Sequence, residues 1–300
     1  MIPVEQCPVC KGIDLRPFAM NQRSQQSLHF AQVRCEDCYV LIAEPQASGE
    51  ELDRYYDAVY YEQMWPDPET VWRNNPQAYG RYELRLMRKM WSTWPPPKSA
   101  EAVEIGCGYG AMLEMLEKLG YKAQGVDPSV RAVDHCHSRG LSATVGKSPG
   151  LPWPPASFDL AFALMQVIEH TSDPLTFSGE LVSLFKPGDV IVIAAEDAGT
   201  SQYFTERLLA RLRGRIPRFR SSTDHTFVFR AEHLKKLLLD AGCDEVREQS
   251  DVPEQESLHW KAYKGFFRSI ACIFGHGEFL IAFGHEAGDR GIGKIERGPS

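Results

Sequence analysis

The sequence predicts an α/β fold built on a doubly wound, mostly parallel sheet, preceded by a small cysteine-based unit. Three observations carry this. Strand-type and helix-type stretches alternate from residue 100 onward, a Gly-x-Gly-x-Gly turn joins the first such strand to the first helix, and two Cys-x-x-Cys pairs lie within the first 38 residues. A chain of 300 residues can bury one good core plus an accessory unit. Its formal charge of −7 gives no general attraction for nucleic acid, so any such partner would need a local basic patch. No basic segment leads into an apolar run at the amino terminus, and no stretch approaches the roughly 18 apolar residues of a spanning helix. A cytoplasmic protein with no membrane segment is the resulting expectation.

Taken in order, Cys7-Pro-Val-Cys10 and Cys35-Glu-Asp-Cys38 are separated by 24 residues. Cys7, Cys10, Cys35 and Cys38 can place four thiolates around a tetrahedral Zn²⁺ at about 2.3 Å, a closed structural site with no position for catalytic water. A disulfide or redox pair is the rival reading, disfavoured by a reducing compartment. The segment Ser27–Arg34 reads as a strand returning to the metal, so residues 1–48 form a zinc-ribbon unit. Cys107, Cys136, Cys243 and Cys272 stand singly and read as small buried hydrophobes. Residues 49–98 carry many aromatics up to the Trp94-Pro-Pro-Pro97 break and read as helical packing over the sheet. Each of Tyr55, Tyr56, Tyr60 and Tyr61 is read first as a packing residue.

The sheet domain spans 99–284. Strands are expected near 101–106, 122–127, 142–146, 158–164 and 189–195, with helices near 110–119, 129–139 and 174–185. Glu232–Ala241 gives a further helix stopped by Gly242, and 243–249 and 278–283 supply the last strands. Inserts interrupt the pattern at 198–230 and 251–277, and the glycine- and charge-rich tail 285–300 is expected to be flexible.

A strand, Gly106-x-Gly108-x-Gly110 and a helix together form a cradle: glycine lets the backbone approach a ligand, and the helix amino terminus offers free N–H groups. A tight strand-to-helix turn would look the same. Asp127 ends the next strand 17 residues beyond Gly110, near the separation expected for a carboxylate that receives ribose hydroxyls. The glycine spacing differs from the dinucleotide pattern, and Glu104 stands just before the turn.

These residues resemble the class I S-adenosylmethionine-dependent methyltransferases, whose first motif is an acidic residue followed by Gly-x-Gly-x-Gly. The likeness continues through Leu151–Leu160, Ala161–His170 with Asp173-Pro174, and Leu184–Ile193, covering roughly residues 100–250. It implies a Rossmann-like, seven-stranded sheet closed by one antiparallel strand, a helical lid over the cofactor, and S-adenosylmethionine as that cofactor. It also implies a cofactor-binding set of Glu104, Gly106, Gly108, Gly110, Asp127, Pro128, Lys147, Ser148 and Met165. In that set the glycines line the methionine and ribose side and Gly146-Lys147-Ser148 lies along the adenine. By the same resemblance one of the four lid tyrosines could face the reacting centre.

Methyl transfer is an in-line displacement, so the protein must align two reactants and, for a hydroxyl or carbon acceptor, remove a proton. Glu169 and His170 follow the fourth strand at the carboxyl edge of the sheet, where ligands of such folds bind; a loop-fixing histidine is the alternative. Asp224 and His225 lie in the first insert and offer a second base with a supporting carboxylate. Ser222–Phe229 is similar to a Glu-His-x-x-Tyr-Phe pattern in zinc-containing C-methyltransferases of nucleotide-linked deoxysugars, although Asp224 replaces the glutamate and Val228 the tyrosine. Six arginines within 207–220 suit a phosphorylated or nucleotide-linked acceptor. A solvated helix face with Leu208, Leu209 and Leu212 packed inward accounts for them as well. The expectation is a methyltransferase acting at O, N or C of a small molecule of secondary metabolism or saccharide assembly. The alternative is a zinc-containing rRNA base methyltransferase, against which the acidic balance stands.

Overall fold

In a computed structural model of the chain, the described residues are 2–21, 31–56, 60–61, 99–163, 167–196, 208–214, 218–219, 225–251 and 279–285. Two sheets organise them. The larger contains seven strands: β4 (Glu101–Ile105), β5 (Lys122–Asp127), β6 (Ala143–Val145), β7 (Phe158–Ala163), β8 (Phe185–Glu196), β11 (Glu245–Asp251) and β12 (Phe279–His285). Their order is β11-β12-β8-β7-β4-β5-β6. Neighbours from β8 through β6 run parallel, while β12 pairs antiparallel with both β8 and β11. The expected Rossmann-like sheet with a single reversed strand is therefore present.

The sheet is apolar on both faces because helices cover both. Along β8, Ile191, Ile193 and Ala195 enter one core and Val192 and Ala194 the other, the period-two alternation of a doubly covered strand. The helices are α1 (Gly49–Tyr55), α2 (Ala111–Lys118), α3 (Val130–Ser138), α4 (Pro174–Leu184) and α5 (Ala231–Asp240). Met112, Leu113 and Leu116 of α2 and Val133 and Cys136 of α3 fill one core. Phe177, Leu181 and Val182 of α4 and Leu234, Leu237 and Leu238 of α5 fill the other. Local signals start these helices. Ser129 Oγ accepts from the Ala132 amide at 3.3 Å, and Asp173 Oδ1 accepts from the Leu175 and Thr176 amides at 3.1 Å with Pro174 following.

The smaller sheet is ordered β10-β3-β2-β1-β9, from β1 (Leu15–Asn21), β2 (Ala31–Cys35), β3 (Leu41–Glu44), β9 (Arg218–Phe219) and β10 (Phe227–Val228). The amino-terminal ribbon is thus completed from the insert after β8: β10 pairs antiparallel with β3 and β9 pairs parallel with β1. Its apolar side shares a core with α5 and the large sheet.

Two expectations need correction. The fifth strand, expected near 189–195, begins earlier, with β8 already pairing at Phe185, opposite Phe158. The register then jumps so that Leu160 faces Val190, which carries the proline–glycine stretch as an irregularity within the strand. In the arginine-rich insert, Leu208, Leu209 and Leu212 are 47%, 37% and 74% exposed rather than packed inward. Ala210 takes the buried position there.

Candidate active site

The glycine turn follows β4 as the sequence implies. Gly106, Gly108 and Gly110 have φ of +73°, +50° and +83°, a region open to glycine without strain. Gly106 and Gly110 also face close neighbours: a Cβ at Gly106 would stand 2.5 Å from Val167 Cγ2, and one at Gly110 would stand 2.6 Å from Leu141 Cδ1. Glu104, on the last turn of strand before the glycines, is buried.

Asp127 closes β5 and faces this turn. Its Oδ2 accepts from the Gly108 amide at 2.9 Å and from the Tyr61 hydroxyl at 3.1 Å, and its Oδ1 accepts from the Ser129 amide at 2.9 Å. The carboxylate is 3% exposed, so these donors hold a buried negative charge at the mouth of the glycine turn. Burial, followed by the charge of Asp127, pushes the Tyr61 phenol well above its ordinary range and keeps it a donor. Pro128 lies between Asp127 and its Ser129 donor. Beside it, the Gly146 amide donates to the Asp127 carbonyl at 3.0 Å. The Lys147 ammonium pairs with Asp53 of α1, and the Ser148 hydroxyl is buried with no partner among the described residues.

A file of aromatic rings leads from this carboxylate to the second group of candidates. Tyr109 meets Tyr61 at 5.2 Å between ring centroids, Tyr61 meets Tyr60 at 5.1 Å, and Tyr60 meets Tyr56 at 5.4 Å. Tyr56 then meets His170 at 5.9 Å, and His170 meets His225 edge-on at 4.8 Å. The fourth-strand histidine and the insert histidine, 55 positions apart in the chain, therefore sit together. His170 ends the short turn Ile168–His170 after β7. His225 is 3% exposed, and the next residue locks the pair: the Thr226 amide donates to the Glu169 carbonyl at 2.7 Å, and the Ala43 amide donates to the Thr226 carbonyl at 2.7 Å. Glu169 is fully buried. Asp224 and Met165 lie outside the described residues.

Cys7, Cys10, Cys35 and Cys38 gather with all four sulfurs within 4.8 Å of one another. Cys7 and Cys38 sulfurs lie 3.7 Å apart and those of Cys10 and Cys35 3.5 Å apart. A tetrahedron with bonds of about 2.3 Å has edges of about 3.8 Å, so the donor set fits Zn²⁺. The Cys38 thiol's hydrogen bond, outweighing burial, lowers the Cys7 thiol from its ordinary value. Among the single cysteines, Cys107, Cys136 and Cys243 are buried as expected, and Cys272 lies outside the described residues.

Sequence reasoning missed three contacts: Tyr61 on Asp127, Lys147 on Asp53, and the strand pairing that carries His225 to the ribbon. Only the density of tyrosines between 55 and 61 hinted at the first.

Comparison with known proteins agrees with the fold. The family described as a methyltransferase domain matches residues 72–248, more than half of the chain. A ubiquinone biosynthesis O-methyltransferase of Methylococcus capsulatus is 28% identical over 152 residues, covering 48% of this chain and 63% of that protein. The chain thus spans about three fifths of that relative's length. A SAM-dependent methyltransferase from Thermotoga maritima shares the fold at a TM-score of 0.50 and 21% identity, covering 75% of this chain and 97% of that one. Another from Archaeoglobus fulgidus shares it at 0.51 and 15%, with the same coverage. On the family match and the sheet it predicts, the chain belongs to the methyltransferase-domain family of class I S-adenosylmethionine-dependent methyltransferases.

Proposed function

We propose that this chain transfers the methyl group of S-adenosylmethionine to a small-molecule acceptor, with His170 and His225 at the acceptor and Zn²⁺ held by Cys7, Cys10, Cys35 and Cys38. The observation that carries the reading is the continuous file of rings from the Asp127 carboxylate to the histidine pair. It joins a ribose-type carboxylate to a pair of titratable groups in one wall.

Bound S-adenosylmethionine supplies an electrophilic methyl on sulfur. Asp127 would accept the ribose hydroxyls, the Gly106–Gly110 turn would lie against the cofactor, and the buried Ser148 hydroxyl would gain a partner at the adenine. Glu104 and Pro128 would complete the cofactor contacts, while Lys147 ties that loop to α1 through Asp53. The tyrosine file excludes water from the line of transfer. His225, backed by His170, would take the acceptor proton as the acceptor–methyl bond forms and the methyl–sulfur bond breaks to leave neutral S-adenosylhomocysteine, and the histidine pair would carry the positive charge. Zinc bound by these four thiolates would have no open position and would act structurally.

The O-methyltransferase name of the curated relatives favours an oxygen acceptor. The arginines of 207–220 support a phosphorylated or nucleotide-linked one. The test is to incubate the protein with methyl-labelled S-adenosylmethionine and a desalted extract divided into nucleotide-sugar, other small-molecule, RNA and protein fractions. Label in either small-molecule pool supports the reading. Label in RNA overturns it in favour of an rRNA base methyltransferase.

A further inference from the structure

We infer that the four-cysteine metal centre positions His225 and that His233 is the positioning residue linking them; this rests on the proposed zinc and acceptor-side readings above. His233 is 2% exposed and bonded at both ring nitrogens. Its Nδ1 accepts from the Arg230 amide at 2.9 Å, so Nε2 carries the proton and donates to the Cys38 carbonyl at 2.6 Å. One imidazole therefore fastens the first turn of α5 to the second cysteine knuckle, although 195 positions separate it from Cys38.

The knuckle and His225 are joined by backbone as well. The Cys35 amide donates to the Val40 carbonyl at 3.1 Å, which closes the knuckle directly before β3. Ile42 and Leu41 of β3 pair with Phe227 and Val228 of β10. Cys7, Val9 and Cys35 share a core with Phe227 and Phe229, whose rings stack at 5.5 Å. His225 thus leads into a two-residue strand gripped between the metal unit on one side and the Glu169 carbonyl on the other. A two-residue strand has little hold of its own, so its position follows that of β3 and α5. The glycine turn is backed from two sides: Cys107 packs in the core under α2 and α3, while Ile105 and Val126, beside Gly106 and Asp127, lie in the core shared with the metal unit.

The knuckle's hydrogen bond to His233 and the pairing of β3 with β10 lead directly to the His225 segment, which yields the decisive expectation: removing the metal disturbs the acceptor side more than the cofactor side. Without zinc the Cys7–Cys10 and Cys35–Cys38 knuckles lose their cross-link, the Cys38 carbonyl drifts from His233, and β10 loses its register. Zinc in the metal-free protein is replaced by addition of zinc alone, and no catalytic chemistry is assigned to it.

The experiment uses the full chain with ring-labelled histidine, the His225 signal being assigned by its loss in His225→Gln. Zinc content, the His225 signal at fixed pH and S-adenosylhomocysteine affinity are measured on zinc-loaded wild type, chelated wild type, zinc-loaded His233→Ala and zinc-loaded His233→Gln. Chelation and His233→Ala are expected to shift or broaden the His225 signal while S-adenosylhomocysteine affinity stays within roughly threefold. Re-added zinc restores the chelated sample. Glutamine, whose amide N–H can again reach the Cys38 carbonyl, is expected to restore part of the signal in His233→Gln. An unchanged His225 signal after chelation of bound zinc overturns this inference alone. Equal loss of S-adenosylhomocysteine binding also overturns it, because the metal would then hold the whole fold. A protein that takes up no zinc overturns the metal reading on which it stands.

Discussion

Replacing Gly106 by alanine tests whether the glycine turn is built for close approach or is merely a tight bend. At φ +73° an L side chain costs about 1–2 kcal/mol in backbone strain. The new Cβ would also stand 2.5, 3.3 and 3.5 Å from Val167 Cγ2, Cγ1 and Cβ. Relieving the contact requires the stiff β-branched Val167 to leave its χ1 rotamer or the backbone to shift, and overpacking of this kind adds about 1–3 kcal/mol. Gly140 is the internal control: its φ is +77°, but nothing lies within 4 Å of an added Cβ. Gly106→Ala should therefore lower stability by about 2–5 kcal/mol and Gly140→Ala by about 1–2 kcal/mol, read from urea unfolding midpoints. Val167 begins the turn that ends at His170, whose amide donates to the Val167 carbonyl at 3.0 Å, so turnover in the first variant should fall as well. Equal destabilisation in the two variants would refute the close-packing argument.

Tyr61→Phe removes a hydroxyl donor from a buried carboxylate and should cost about 1.5–3 kcal/mol by chemical denaturation; a change below about 0.5 kcal/mol would mean the hydroxyl is idle. Asp173→Ala should cost about 0.5–2 kcal/mol through loss of the α4 cap. Partial burial pushes the Asp173 carboxyl up, but hydrogen bonds from the Thr176 amide and hydroxyl, the charge of Lys11 and the Leu175 amide together leave it below its ordinary value. Its folded pKa is thus depressed, so this contribution is present above the ordinary carboxylate value near 4 and is lost as pH falls through the lower folded value. Wild type and Asp173→Ala should accordingly converge in stability at the acid end of a pH series; a gap that stays constant would contradict the assignment.

Most of the large sheet was readable because its strands are covered on both faces and its helices carry local starts. Ser129 and Asp173-Pro174 announce α3 and α4 within a turn. Gly106, Gly108, Gly110 and Asp127 were readable because backbone approach and ribose recognition demand fixed spacing along a strand-turn-helix-strand unit. The misses share a cause. Tyr61 and Asp127 are 66 positions apart, Lys147 and Asp53 94, and His233 and Cys38 195. No local pattern encodes such partners. The short β10 is likewise a strand only because β3 offers it an edge, and the Lys186-Pro-Gly-Asp189 stretch, whose local preference is a turn, is carried inside β8 by its neighbour β7.

The proposed function divides the labour in two: Asp127 and the glycine turn would hold the cofactor, and the histidine pair would serve the acceptor. The most direct test is calorimetric titration of S-adenosylhomocysteine into wild type, Asp127→Asn and His225→Ala, with methyl-transfer turnover measured alongside. Asp127→Asn should weaken binding by about 10- to 100-fold, the loss of a charged acceptor worth about 1.5–3 kcal/mol. His225→Ala should leave binding within roughly threefold while turnover falls by about 10²–10⁴. Undiminished affinity in Asp127→Asn, or unchanged turnover in His225→Ala, would contradict it.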